Sequence, residues 1–273
     1  MSIFRAACVQ LRSSDDVTEN IRVTSDLIRK ARAKGAQFVA TPENTTLMAP
    51  DGGAKLERSF PEDRDPALPA LVALAKELNI WLLIGSLAIK VSDTKTANRS
   101  FLIAPDGRIA ARYDKIHMFD VELPSGETYR ESNTVAGGSR AVIADLPWGR
   151  IGLTICYDLR FPTLYRWLAQ KGAFMLTVPS AFTETTGKAH WHVLLRARAI
   201  ENGAFVIAPA QGGAHANGRQ TYGHSLIVAP WGEVLAEAGT EPDVIVADID
   251  PALVDAARNR VPNLRHDRAF EGP

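Results

Sequence analysis

Cysteine is nearly missing from this chain: Cys8 and Cys156 are the only two in 273 residues. With no C-x-x-C spacing, the sequence offers neither a disulfide framework nor a thiolate zinc site. Two unpaired thiols fit a reducing, cytoplasmic setting. A charge excess of either sign is missing too, since 31 Lys and Arg offset 31 Asp and Glu. No basic field therefore points to nucleic acid or to an anionic membrane surface, and a small-molecule, metabolic role remains. No apolar run reaches the length of a membrane span. Arg5 interrupts the apolar N-terminal stretch, which reads as a first strand and not as a signal peptide. No stretch rich in Pro, Gly or Ser divides the chain, so residues 1–273 read as one domain, and 46% hydrophobic content is enough for a large core. Residues 261–273 lack periodicity and read as a C-terminal tail, with an oligomer interface as one place for it.

What is present is alternation of strands and helices. Ile3 to Leu11 reads as a strand, and Val17 to Lys34 as an amphipathic helix with Ile21, Leu27, Ile28 and Ala31 on one face, stopped by Gly35. Gln37 to Ala40 is a short buried strand ending in T-P-E-N. A helix over Pro66 to Leu78 then leads into the apolar strand Ile80 to Ile89. Ala97 to Ala104 and Arg108 to Tyr113 flank the turn Pro105-Asp106-Gly107, and Ser225 to Val228 and Glu233 to Ala236 flank Ala229-Pro230-Trp231-Gly232. Two hairpins of one design, each after strand and helix alternation, indicate two similar half-units and not a single parallel sheet. Between them, Phe174 to Val178 is a strand ending in P-S-A-F-T, Lys188 to Asn202 a helix closed by Gly203, and Phe205 to Ala210 a strand ending in Q-G-G. Val244 to Ile249 and Pro251 to Arg260 supply a last strand and a last helix.

The stretch with most chemical content is R-I-G-L-T-I-C-Y-D-L-R-F-P, Arg150 to Pro162. Ile151, Leu153 and Ile155 alternate as in a strand that stops at Cys156, and Phe161 to Lys171 has the spacing of a short helix with Pro162 in its first turn. A thiol between strand end and helix start would feel the positive end of the helix dipole, which favours thiolate. Taken alone, such a cysteine is more often a core residue than a nucleophile. Its company raises the odds: ligands of α/β proteins collect at the carboxyl ends of strands, and Glu43, Lys115, Cys156 and Ser180 all stand at such ends. Individually, Glu43 could cap a turn, Lys115 could be a solvated charge and Glu131 could serve a loop.

These residues carry a resemblance. T-P-E-N at Thr41 to Asn44, Y-D-K-I-H at Tyr113 to His117, Glu131-Ser132, and G-L-T-I-C-Y-D-L-R-F-P at Gly152 to Pro162 are similar to the Glu, Lys and Cys signatures of the nitrilase superfamily of carbon–nitrogen hydrolases. Pro179 to Asn202 resembles its Nit branch, and most closely the deaminated glutathione amidases. The resemblance implies an α/β fold, a four-layer αββα sandwich of two mixed sheets flanked by helices, dimerising through helices. It implies no metal and no cofactor. It casts Cys156 as nucleophile, Glu43 as general base and acid, and Lys115 with the backbone N–H of Tyr157 as holder of the oxyanion. Glu131 would position the lysine and the substrate.

Arg160 would face the carboxylate of an α-keto acid, near Phe182 and Thr186; otherwise it would form a salt bridge to Asp158 or Glu43. The implied activity is thiol-dependent hydrolysis of deaminated glutathione to 2-oxoglutarate and cysteinylglycine. An ω-amidase or another aliphatic amide or N-carbamoyl hydrolase is the enzymatic alternative, and a binding or scaffold protein the non-enzymatic one. His190 and His192 face different ways on a helix and make no metal pair. A Cys-His hydrolase would need His117 or His224 beside Cys156. Cys8 reads as inert, and Trp81, Trp148, Trp167, Trp191 and Trp231 as core or interface fillers.

Overall fold

A computed structural model describes residues 2–123, 126–216 and 218–272. The first sheet is built from β1 (Phe4–Gln10), β2 (Phe38–Ala40), β3 (Trp81–Lys90), β4 (Thr96–Ile103) and β5 (Ile109–Asp114). The first three run parallel in that order, and β4 and β5 return antiparallel as a hairpin. The intervening helices, α1 (Val17–Ala33), the short α2 (Gly52–Glu57) and α3 (Ala67–Leu78), sit between strands, and α1 and α3 cover the outer face with Ile28, Ala31, Leu71 and Leu74. Asp16 starts α1 by accepting the Glu19 N–H, one of the donors a helix start leaves open.

The second sheet repeats this plan. Strands Gly149–Leu153, Ala173–Thr177 and Phe205–Ala208 run parallel, and Leu226–Val228 and Val234–Glu237 return as a hairpin. Helices α4 (Pro162–Gln170) and α5 (Glu184–Asn202) connect the parallel strands and cover the outer face. The expectation of two half-units therefore holds at the level of strand order and direction. Each half is also completed by a strand lying beyond the other half's hairpin in the chain. Val142–Leu146 follows the first hairpin and adds antiparallel to the second sheet, whereas Asp243–Ile249 follows the second and adds antiparallel to β1. The chain then closes with α6 (Ala252–Arg260), whose Arg258 donates to the carbonyls of Ala173 and Asn202.

The two sheets face each other, giving the four-layer αββα sandwich. On β1 the period-two alternation puts Phe4, Ala6 and Cys8 between the sheets and Ala7 and Val9 against the helices. Phe4 stacks on Trp148 at 4.0 Å between ring centroids, and buried Cys8 lies 3.7 Å from the Leu226 carbonyl. Trp191 is also buried, whereas Trp167 and Trp231 lie at the surface. Residues beyond α6 are tied to the second half: Arg166 and Gln170 bond Asp267, and Asn263 donates to the Glu201 carbonyl. Among the described residues no helix is long and apolar enough to cross a membrane.

Candidate active site

The carboxyl ends of the parallel strands of both halves meet across the sandwich. Glu43 follows β2 in the turn Thr41-Pro42-Glu43-Asn44. That turn is pinned to β3: Thr41 N–H donates to the Leu83 carbonyl at 2.9 Å, and Asn44 N–H to Ser86 Oγ at 3.0 Å. Gly85, at a register shift in β3, makes the approach possible, since a Cβ there would stand 1.8 Å from the Thr41 oxygen and 2.5 Å from Pro179 Cβ. A glycine at this point is a steric requirement of bringing two loops together.

Glu43 is 3% exposed and fully engaged. Its Oε1 accepts from Lys115 Nζ at 2.9 Å and Asn98 Nδ2 at 2.8 Å, and its Oε2 from the Ala181 N–H at 3.0 Å. Lys115, just past β5, is buried as well and reaches both oxygens of Glu131 at 3.1 and 2.8 Å. Glu131 opens a 3-10 turn and accepts the Phe119 N–H at 2.7 Å, which fixes its carboxylate. Burial disfavours the ammonium of Lys115, but the Glu131 and Glu43 carboxylates carry its pKa well above the usual lysine value. Burial likewise opposes charge on Glu43, yet the Lys115 ammonium and hydrogen bonds from Cys156 and Lys115 lower its pKa to about 2.

Cys156 enters from the second half. Its strand ends at Leu153, and Cys156 begins a 3-10 turn, Cys156–Arg160, with φ at +48°. Left-handed backbone costs a non-glycine residue energy and marks a position the surroundings over-determine. Here the Cys156 N–H donates to the Pro179 carbonyl at 2.9 Å, and Asp158 Oδ2 accepts the Ile155 N–H at 2.9 Å. The residue is 7% exposed, and its thiol shares the cleft with the Glu43 carboxylate, whose charge acts on it. This corrects the expectation of a thiolate at a helix start. The helix α4 begins only at Pro162, and burial, then the Glu43 charge, push the thiol pKa up. The resting group is a neutral thiol facing an ionised carboxylate.

Asp158 explains why Y-D-K-I-H and C-Y-D belong together. Fully buried, it accepts from Tyr113 Oη at 2.6 Å, from the His117 N–H at 3.1 Å, and pairs with His117 Nδ1 at 2.7 Å. Residues on either side of Lys115 are thus clamped to the turn that carries Cys156. The salt bridge from Arg160 to Asp158 or Glu43 does not form, because donors of the first half and Ile155 fill Asp158. Arg160 instead lies over cleft-lining Phe182, its guanidinium 5.5 Å from the ring centroid and its Nη2 3.3 Å from His190 Nδ1.

Ser180, at the matching strand end, turns its hydroxyl to the Val178 carbonyl at 3.0 Å and does not line the cleft with Cys156. His117 is held by Asp158 and His224 by Glu237, and neither lines the cleft with Cys156. Burial pushes the Cys8 thiol up and keeps it protonated.

Glu43, Lys115, Glu131 and Cys156 open on one cleft of about 570 Å³. Tyr157, Phe182 and Thr186 line it too, and Arg160 lies over the ring of Phe182. Three supporting groups escaped the sequence reading. Asn98 bridges Glu43 and Glu131 from β4, at 2.8 and 3.4 Å. Gln211, of the Q-G-G after the third parallel strand of the second half, donates to the Glu43 and Asn44 carbonyls at 3.0 and 3.1 Å. The third is the Ala181 N–H. An amide within an apolar strand was a usable signal for Asn98; nothing in sequence marks a backbone donor.

Among the described residues one set could gather a metal ion: His192, His224 and Glu237 bring three ligand atoms within 4.8 Å of one another. Both imidazoles already bond Glu237 Oε1, at 2.9 and 2.8 Å. The helical neighbour His190 takes no part.

A carbon-nitrogen hydrolase family model matches residues 5–259. A deaminated glutathione amidase of Synechocystis is 42% identical over 270 residues, covering 97% of this chain and 98% of that protein. Human omega-amidase NIT2 is 37% identical, over 98% of this chain and 96% of the relative. The crystal structure of the Caenorhabditis elegans NitFhit protein superposes with a TM-score of 0.92 at 38% identity; the match covers 98% of this chain and 66% of that longer one.

Proposed function

Because the chain belongs to the carbon-nitrogen hydrolase family and is a hydrolase of amide C–N bonds, we propose that it cleaves ω-amides of dicarboxylic acids through a thioester on Cys156, with deaminated glutathione as substrate. The observation that carries this reading is the convergence of Cys156, Glu43 and Lys115 in one cleft. An amide is a poor electrophile with a poor leaving group, so its hydrolysis needs a nucleophile, a proton carrier and a place for negative charge.

Cys156 Sγ attacks the amide carbon while its proton passes to Glu43. A neutral thiol beside an ionised carboxylate suits that coupled step, in which no free thiolate accumulates. The oxyanion is taken by Lys115 Nζ and the Tyr157 N–H. Glu43 returns the proton to the departing amine, the tetrahedral intermediate collapses to the thioester, and Glu43 then deprotonates the water that releases the acid. Glu131 and Asn98 hold Lys115 and Glu43 at their distances throughout.

The products would be 2-oxoglutarate and cysteinylglycine. The second reading, an ω-amidase acting on 2-oxoglutaramate, draws on the likeness to the human relative. Phe182 and Thr186 form the substrate wall in both. Exposed Val193 and Ile200 on α5 support a homodimer built on helices. Turnover of deaminated glutathione and of 2-oxoglutaramate, measured side by side as amine and ammonia release, separates the two readings. Cys156→Ala is expected to release neither. A Cys156→Ala protein that keeps the parental rate would end the thioester mechanism.

A further inference from the structure

His192, His224 and Glu237 have no part assigned in amide hydrolysis, and the fold holds all three in place by other means. Glu237 closes the strand Val234–Glu237 and pairs in register with Leu226, so His224 stands two residues ahead of its cross-strand partner. His224 takes left-handed backbone, φ +54°, which for a non-glycine residue marks a position over-determined by its surroundings. Its N–H donates to the Gly239 carbonyl and its own carbonyl accepts from Trp191 Nε1, both at 2.8 Å. Trp191 is the buried helical neighbour of His192, so one hydrogen bond ties the two histidine-bearing segments together. The Tyr222 ring stacks on His224 at 4.4 Å and meets His192 edge-on at 5.9 Å, which orients both imidazoles.

Nε2 of His192 and Nδ1 of His224 both meet Glu237 Oε1, at 2.9 and 2.8 Å, and one ligand atom from each residue lies within 4.8 Å of the other two. The side chains of His192, His224 and Glu237 are 33%, 27% and 38% exposed, so water and ions reach them. Two imidazole nitrogens and a carboxylate oxygen, with a solvent-facing side left for water, are a donor set for a zinc-class ion, whereas Ca²⁺ and Mg²⁺ ask for oxygen ligands. Ligand atoms at zinc's bond lengths stand about 3.3 Å apart in a tetrahedral site, so an opening of about half an ångström admits the ion. We propose that His192, His224 and Glu237 are a binding site for a zinc-class divalent cation, drawn from the second half alone, which staples α5 to the second hairpin. On binding, each imidazole directs its lone pair at the ion and keeps its single proton on the other ring nitrogen, Nδ1 of His192 and Nε2 of His224, while the carboxylate offsets one of the two charges.

The test is calorimetric titration of untagged, metal-stripped protein with Zn²⁺, in a Cys156→Ala background so that the cleft thiol takes no ion. One saturable site per chain is expected, with Mg²⁺ bound at least about 100-fold more weakly. His192→Gln and Glu237→Gln each keep a hydrogen-bonding side chain in place. Each should weaken Zn²⁺ at least about 100-fold, the upper end of what losing even a supporting residue costs. Zn²⁺ at a concentration that saturates the background protein should raise its thermal midpoint and leave those of both variants unmoved. X-ray absorption at the zinc edge on the background protein needs no ligand substitution: two imidazole neighbours support the site, and one or none overturns it. Equal Zn²⁺ affinity in the background protein and the variants, equal affinity for Mg²⁺ and Zn²⁺, or no saturable binding also overturns it and leaves a hydrogen-bonded cluster.

Discussion

The turn after the middle parallel strand is Thr41-Pro42-Glu43-Asn44 in the first half and Val178-Pro179-Ser180-Ala181 in the second, and the two do different work. In both, a proline follows the strand and the next side chain is buried. In the first half that side chain is a carboxylate gathering Lys115, Asn98 and the Ala181 N–H. In the second it is a hydroxyl satisfied within its own turn. What the second turn gives to the site is backbone: the Pro179 carbonyl holds the Cys156 N–H, and the Ala181 N–H holds Glu43. One half thus supplies the charged groups and the other the nucleophile and its frame. A site built this way exists only when both sheets are packed.

Substitutions can sharpen this contrast. The largest effect is expected for Glu43→Gln, which removes the proton carrier and turns an amide N–H₂ toward at least one of the three donors that Glu43 accepts from; kcat for amide release should fall about 10²- to 10⁴-fold. Next is Lys115→Met, which leaves Glu43 and Glu131 as buried like charges. A loss of about 3 to 5 kcal/mol in denaturant unfolding is expected, with kcat down about 10²- to 10³-fold from the missing oxyanion donor.

A pH titration of stability comes third. The folded pKa of Glu43, about 2, lies below the unfolded value of about 4.3. Its stabilising contribution is therefore complete above the unfolded pKa and is lost as pH falls toward the folded one. Unfolding midpoints measured between pH 6 and pH 3 should drop less steeply for Glu43→Gln than for the parent. The smallest effect is expected for Ser180→Ala, which removes one buried hydroxyl hydrogen bond worth about 1 kcal/mol and should leave kcat within about threefold. A loss as deep as that of Glu43→Gln would dissolve the contrast between the halves.

Much of this was legible beforehand because it is local. Strand and helix periodicity and turn residues placed both hairpins and the strand before Cys156, although it ends at Leu153 and not at Cys156, and four short motifs marked Glu43, Lys115, Glu131 and Cys156. One helix boundary was missed over a local cap, and the other readings that failed did so where a side chain answers to distant neighbours. The helix α5 starts at Glu184, ahead of the expected Lys188, because Thr183 caps it by accepting the Thr186 N–H. The alternative salt bridge from Arg160 did not form, because its expected partner Asp158 was filled from the other half. The thiol was expected to ionise more easily than usual, and enclosure beside a carboxylate does the opposite.

The order of residues alone determined that the chain folds as two repeats of a strand-and-helix unit, since period and turn chemistry act over a few neighbours. It also determined which side chains are chemically equipped for amide hydrolysis. Only the packing of one sheet on the other decided their protonation and their partners. Those properties depend on desolvation, on the charge pair between 43 and 115 and on the hydrogen bond between 113 and 158, groups that the linear chain holds far apart.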